Sequence, residues 1–296
     1  MYAPHVGVYL FLDVAYTRPM IETVIHKWLR VPHILHVGND IHPRDTKVTV
    51  VLVHGLANSH NMWKPLLKRL SGAHTRVVTV DLLGFGNSPK PDWQTYSAVV
   101  HAQSLKMTLR SLHVTGPVVI VGHSLGSLVA VQYAGLYPRH VHSLILCSPP
   151  FYRPPKEQTG KVVLPQPEDI YRKLYSYSRN KTDLAKKMAS VIKKARMLDA
   201  SFTVNDATLP AIVSSLEMSI ENQTSLQDAE KLTMPIHVIY GKLDPFIVKR
   251  NIRQLESKLP NATLETVIAG HEIGLSKQFT SAVVNSVQRT VDEILT

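Results

Sequence analysis

The chain has 296 residues, 44% of them hydrophobic, with a mean hydropathy of −0.02, ample material for the core of one large α/β domain or of one domain carrying an insertion. Its net charge of +11 suits anionic partners, but no zinc-finger spacing or RNA-binding signature accompanies that charge, so no nucleic acid is expected. The single cysteine, Cys147, excludes an intramolecular disulfide; its place in the apolar run Leu144-Ile145-Leu146-Cys147 predicts a buried strand residue, compatible with the cytoplasmic location expected here.

At the N-terminus residues 6–12 are apolar, but no basic residue precedes them and Asp13 interrupts the run. Neither a signal peptide nor a spanning helix is expected, because a span needs about 20 apolar residues. Residues 1–30 read as a helical arm that starts near Thr17-Arg18-Pro19. Met20, Val24 and Trp28, with Ile21 and Ile25 beside them, form a stripe expected to dock on the domain. Arg18, Lys27 and Arg30 leave a membrane-surface role open.

From residue 31 short apolar runs alternate with amphipathic segments. The pattern predicts strands at 31–37, 47–53, 76–80, 117–121 and 142–147, with helices at 62–70, 96–112 and 124–137. Continuous hydrophobic strands separated by helices imply a mostly parallel sheet covered on both faces. The rhythm breaks at Pro149-Pro150-Phe151-Tyr152-Arg153-Pro154-Pro155. Residues 151–231 then offer helical patterns at 168–178, 181–198 and 206–220 and no convincing strand, the signature of an inserted helical cap. Between 151 and 200 there are 12 Lys and Arg against 5 Asp and Glu, so basicity is concentrated in the insertion. The pairs Lys186-Lys187 and Lys193-Lys194 read as a solvated face; they leave peripheral contact with an anionic membrane open. Strands at 235–240 and 263–268 and helices at 245–259 and 277–295 complete a core made of 31–150 and 232–296.

Chemistry concentrates where the strand Val118-Val119-Ile120-Val121 runs into Gly122-His123-Ser124-Leu125-Gly126. A strand-to-helix turn this tight needs glycine two residues either side of the serine, and it holds the hydroxyl out over the sheet edge. A serine hydroxyl needs a base, and the base needs a group to orient it. Asp244, in Gly241-Lys242-Leu243-Asp244-Pro245, follows the penultimate strand; His271, in Ala269-Gly270-His271-Glu272, follows the last. In a parallel sheet the loops after strands emerge at one edge, so Ser124, Asp244 and His271 share it. The loop His54-Gly55-Leu56-Ala57-Asn58 follows an early strand, and its Leu56 or Ala57 N–H can pair with that of Leu125 as an oxyanion hole. Each such donor contributes about 3–4 kcal/mol where measured.

Other residues have blander readings. Glu272 is the weaker acid candidate, lacking a strand-loop position of its own, and Asp81 with Gly84 and Gly86 shapes a loop. His123 reads as structural, and the spacings of His33 with His36 and of His140 with His142 do not make a metal site, so no metal or cofactor is expected. Trp63, Phe85, Phe151, Tyr152 and Phe246 read as packing residues, those near the loops also lining an acyl pocket.

These motifs, with Asp81-Leu82-Leu83-Gly84-Phe85-Gly86-Asn87-Ser88, resemble those of the α/β-hydrolase fold superfamily in its serine esterase and lipase-like branch. The resemblance covers 45–150 and 232–296. It implies a cap where 151–231 falls and a small-molecule acyl substrate. It also implies ester hydrolysis through Ser124, His271 and Asp244, with carbon–carbon bond hydrolysis of the meta-cleavage type as the alternative on the same residues. A ligand-binding signalling protein on the same fold is the alternative of another class. Dehalogenases and epoxide hydrolases share the fold but carry aspartate where Ser124 stands here.

Overall fold

The apolar runs of the sequence pair into one seven-stranded sheet in a computed structural model that describes residues 21–153 and 199–296, with positions 169, 173 and 176. The strands are β1 (Val37–Ile41), β2 (Val48–Val53), β3 (Thr75–Val80), β4 (Val118–His123), β5 (Val141–Cys147), β6 (Ile236–Gly241) and β7 (Ala262–Val267), in the order β1-β3-β2-β4-β5-β6-β7. β1 pairs antiparallel with β3, and every other pairing is parallel. β2, β3 and β4 are buried along their whole length, which is why their sequences are mostly apolar on both faces rather than alternating, with Arg76 of β3 paired to Asp40.

Side-chain alternation splits those strands between two cores. Val51, Val53, Ile120, Leu144 and Leu146 face α2 (Ala98–Ser111) and α3 (Leu125–Leu136). Val50, Leu52, Val119, Val121, Ile145 and Cys147 face α1 (Lys64–Leu70) and α6 (Lys277–Leu295), where Trp63 and Phe279 are fully buried. The cap's described part, with α4 (Leu209–Ser215) and a π-helical turn Leu216–Glu221, adds Ile212, Leu216 and Ile220 to the first core. α5 (Lys249–Lys258) lies between β6 and β7. Among the described residues no helix is long and apolar enough to cross a membrane.

The structure corrects several sequence expectations. No strand covers 31–36: pairing starts at Val37 opposite Val80, the last residue of β3, so the segment before it runs past the end of its neighbour. Pro32 also lacks an N–H to offer a ladder. The helix at 62–70 divides into a 3-10 turn His60–Trp63 and α1, and that at 245–259 begins only at Lys249. In the N-terminal arm the described turn, Thr23–Trp28, buries no residue; Trp28 is 77% and Val24 47% exposed. It is tied instead by His26, whose Nδ1 lies 2.7 Å from the Val31 carbonyl and whose ring stacks on His33 at 3.8 Å. The start at 17–19, the helix at 181–198 with its lysine pairs, and nearly all of 168–178 lie outside the described residues.

Ile120 sits at the centre of the sheet with no exposed surface. Ile120→Ala therefore lowers stability by about 2–5 kcal/mol in chemical denaturation. Ile34→Ala, at a position 52% exposed, changes it by less than about 0.5 kcal/mol.

Candidate active site

Ser124 stands between β4 and α3 with φ 51° and ψ −117°, a conformation that a residue with a side chain adopts only when its surroundings enforce it. The enforcement is steric. A Cβ on Gly122 would lie 2.4 Å from the Gly126 carbonyl oxygen, and one on Gly126 would lie 2.2 Å from that of Val53. Without side chains at both places, α3 packs its first turn directly on the end of β2. Ser124 N–H donates to the Cys147 carbonyl at 2.9 Å, and Ser127 N–H to the Ser124 carbonyl at 2.9 Å. The turn thus presents a half-buried hydroxyl at the carboxyl edge of the sheet.

Asp244 and His271 leave β6 and β7 at the same edge. Their loops are bound together: Lys242 N–H donates to Val267 (2.8 Å) and Leu243 N–H to Ala269 (3.0 Å). His271 Nδ1 donates to Asp244 Oδ2 at 2.8 Å, and Phe246 N–H holds the other oxygen at 2.8 Å. Burial raises the Asp244 carboxyl pKa, but the His271 imidazole and the Phe246 amide outweigh it and hold the group below the usual carboxylate range. Burial disfavours the charged form of His271, yet its bond to Asp244 and the charges of Asp244 and Glu272 raise its pKa above 6.5. Since Nδ1 carries the bonded proton, the lone pair of the neutral ring lies on Nε2. Phe246 packs edge-on against that ring at 5.1 Å. Among the described residues no hydrogen bond joins the Ser124 hydroxyl to His271.

The loop after β2 comes close because Gly55 has no side chain: a Cβ there would lie 3.1 Å from that of Ser124. Neither the Leu56 N–H, the Ala57 N–H nor the Leu125 N–H donates to another group among the described residues, so three amides beside Ser124 are unspent. His54 fixes the loop's origin. It accepts from Leu82 N–H at Nε2 (2.9 Å), and its Nδ1 donates to the Gly55 carbonyl (2.7 Å). Burial drives its pKa down to about 4. His123 is likewise neutral, lowered by burial to about 3, and its Nε2 donates to the His271 carbonyl at 3.0 Å.

Asp81 follows β3 at the same carboxyl edge of the sheet. One carboxylate oxygen accepts His60 N–H (2.7 Å) and His60 Nδ1 (2.9 Å); the other accepts Asn87 N–H (2.8 Å) and His36 Nδ1 (3.0 Å). His36, His60 and Asp81 thus carry a donor set suited to a divalent cation, with ligand atoms within 4.8 Å of one another. Both oxygens already have two partners each, and the cluster works as a tie between the starts of β1, α1 and the loop after β3. His140 instead engages the Tyr133 hydroxyl at 2.6 Å.

Glu272, weighed in the sequence only as a second acid candidate, joins a polar group beside His271 that sequence reasoning passed over. Glu272 is buried, with one carboxyl oxygen unpartnered, and burial raises its pKa to about 7. Asn58, 3% exposed, lies beside it and meets Ser201 of the returning cap segment at 2.6 Å. No motif marks Ser201; only an apolar loop tip that ends in a single amide, Ala57-Asn58, hinted that a polar partner would be found.

The profile of the alpha/beta hydrolase fold family matches residues 48–278. A probable lysophospholipase of Arabidopsis thaliana, BODYGUARD 2, is 34% identical over 38% of this chain and 26% of its own length. The chain thus spans about a quarter of that relative. Lipase 3 of Moraxella sp. is 24% identical over 76% of this chain and 70% of its own. Among solved structures, an esterase of Thermogutta terrifontis superposes with a TM-score of 0.67 and 22% identity, covering 88% of this chain and 94% of that one. A family profile spanning most of the chain, joined to a parallel sheet with a strained serine at the β4–α3 turn, makes the chain a member of the alpha/beta hydrolase fold family.

Proposed function

We propose that the chain is a serine hydrolase acting on a carboxylic ester or a related acyl compound. The observation that carries this reading is the His271–Asp244 hydrogen bond at the sheet edge that also holds Ser124 in its strained turn. His271 Nε2 takes the proton of the Ser124 hydroxyl as Oγ attacks the acyl carbon. The oxyanion that forms is received by the N–H of Leu125 and that of Leu56 or Ala57. Protonated His271, steadied by the Asp244 carboxylate, then gives its proton to the leaving alcohol. Water deprotonated by His271 attacks the acyl-enzyme, and the acid departs. The mechanism uses only the chain's own groups and water. The named lipases and the esterase among similar proteins support an ester over other acyl substrates.

Hydrolysis of short p-nitrophenyl esters tests this directly. Ser124→Ala removes turnover and fluorophosphonate labelling while the circular dichroism spectrum stays that of the wild type; unchanged hydrolysis sinks the assignment. Release of a dienoic acid from a ring-cleavage product, with negligible ester turnover, selects the carbon–carbon hydrolase instead.

The pH profile follows from the charge on the base. His271 must be neutral to accept a proton, and its pKa is raised above 6.5. Activity (kcat/KM) therefore rises with pH through a midpoint above 6.5 and is lost on the acid side. Asp244→Asn removes the partner that raises that pKa. The midpoint then moves to lower pH, and kcat falls by about 10⁴-fold through the wrong tautomer. A midpoint unmoved in this variant assigns the acid limb to another group.

A further inference from the structure

The loop that carries the candidate oxyanion donors does not hold its shape alone. Ala57 has φ 57°, in the left-handed region that glycine favours, yet it bears a side chain. Within the loop Asn58 N–H closes back on the Gly55 carbonyl at 3.2 Å, the same oxygen that His54 Nδ1 meets. Ala57 packs into the core and Glu272 lies against Asn58, and the remaining hydrogen bonds to the pair come from the segment by which the cap returns to the core. Thr203 N–H donates to the Ala57 carbonyl at 2.7 Å. The Ser201 hydroxyl donates to Asn58 Oδ1 at 2.6 Å. Asp199 orients that hydroxyl: its Oδ1 accepts Ser201 N–H at 2.8 Å and lies 2.6 Å from Ser201 Oγ. The hydroxyl stands at the same distance from both oxygens, so its one proton is shared between Asn58 Oδ1 and Asp199 Oδ1 and ties the two together.

We infer that Asn58 is a positioning residue, clamped by Ser201 of the cap's return segment, through which seating of the cap sets the direction of the Leu56 and Ala57 N–H groups. The inference rests on the serine-hydrolase reading for its catalytic consequence, but not for the clamp itself. Its geometry has two independent supports. The side chain of Asn58 is buried, so its amide must be bonded within the protein, and the clamp supplies that bond. Gly274 is placed where a Cβ would lie 3.0 Å from Asp199 Oδ2, which brings the loop after His271 against the same cluster. Glu272 closes it from below. Its carboxyl faces His271, Asp199, Asp244 and Asn58; burial and the two carboxylates raise its pKa, against His271 and Asn58, to about 7.

The consequence is a division of labour. The core supplies nucleophile, base and one amide donor. Among the described residues the cap supplies no reacting group, yet it holds the loop that carries the second donor. An ester is bound whether or not that loop is aligned, whereas a tetrahedral adduct needs both amides. Loss of the clamp therefore reads out in kcat and in the affinity of adduct-forming inhibitors, with KM nearly unchanged.

Full-length wild type, Asn58→Ala, Ser201→Ala and Ser201→Thr are compared in three measurements. These are p-nitrophenyl acetate kinetics, inhibition by a phenylboronic acid that forms a tetrahedral adduct, and amide hydrogen exchange of peptides covering 54–62. Asn58→Ala and Ser201→Ala are expected to lower kcat by about tenfold and to raise the boronic acid Ki by the same factor, with KM within about twofold. The double variant is no worse than either single one, because both break one clamp. Exchange at 54–62 speeds up by about threefold or more, while peptides of β4 and α3 are unchanged. Ser201→Thr keeps the hydroxyl and stays near wild type. Wild-type exchange at 54–62 in Asn58→Ala and Ser201→Ala overturns the clamp, even where the protein proves to have no Ser124-dependent turnover, an outcome that retires the hydrolase reading separately. Faster exchange with kcat and Ki both unchanged in a Ser124-dependent enzyme overturns the positioning role.

Discussion

Helix α3 rests its first turn on the end of strand β2 with backbone against backbone, and the site's geometry descends from that approach. Only a residue without a side chain allows it, since any Cβ at position 126 would penetrate the Val53 carbonyl. The turn is thereby forced into the left-handed region at Ser124, and the helix that follows has its first amide pointed away from any intrahelical partner. A serine presented on a relaxed turn would lie back along the helix. The strain is sustained by the sheet beneath: Ser124 N–H is tied to the Cys147 carbonyl, and β4 is gripped on both sides by β2 and β5.

Parallel strands give the second half of the geometry. Because β4, β6 and β7 run the same way, their exits lie along one edge, and residues 120 and 147 positions apart in the chain come to that edge together. Closeness alone does not set a hydrogen bond. The acid and histidine loops are stitched to each other by Lys242 and Leu243 amides, and Gly241 lets them meet, since a Cβ there would lie 2.2 Å from the Ala269 oxygen. The His271–Asp244 contact is thus the end of a continuous backbone seam rather than an encounter of two mobile loops.

The parts legible in the sequence are those governed by local rules. Apolar runs such as 47–53 and 117–121 gave strands within a residue or two of their limits, because burial on both faces leaves no polar position to confuse the pattern. Gly122 and Gly126 marked the turn because a steric demand two residues either side of a serine is written into composition. The N-terminal stripe misled for the opposite reason. Spacing says that Val24 and Trp28 share a helical face, not that anything lies opposite it, and in the fold that face meets solvent. Helix starts at 96 and 245 came too early, since Ser97 caps the first and the second is delayed to Lys249. The contact of Asn58 with Ser201 was illegible, since it joins residues 143 positions apart with no repeated spacing to announce it.

Three histidines surround Ser124, and their surroundings assign them different work. His54 and His123 are buried with carbonyls and amides for neighbours, so each is held neutral with one ring nitrogen donating to backbone. Their pKa values fall to about 4 and about 3, principally through burial. Either would be a weak base, since burial outweighs what the Asp81 charge lends His54 and the Asp244 charge lends His123. His271 is buried too, but Asp244 stands against its Nδ1, and the same burial that penalises an isolated charge strengthens the pair. The cationic form that a general base must pass through is therefore stabilised at one imidazole of the three. The neutral neighbours contribute by shape: His123 holds the His271 backbone from beneath, and His54 anchors the root of the loop that Asn58 closes. On the proposed reading the base is selected by a carboxylate one hydrogen bond away, and not by exposure, for burial would otherwise have silenced all three rings alike.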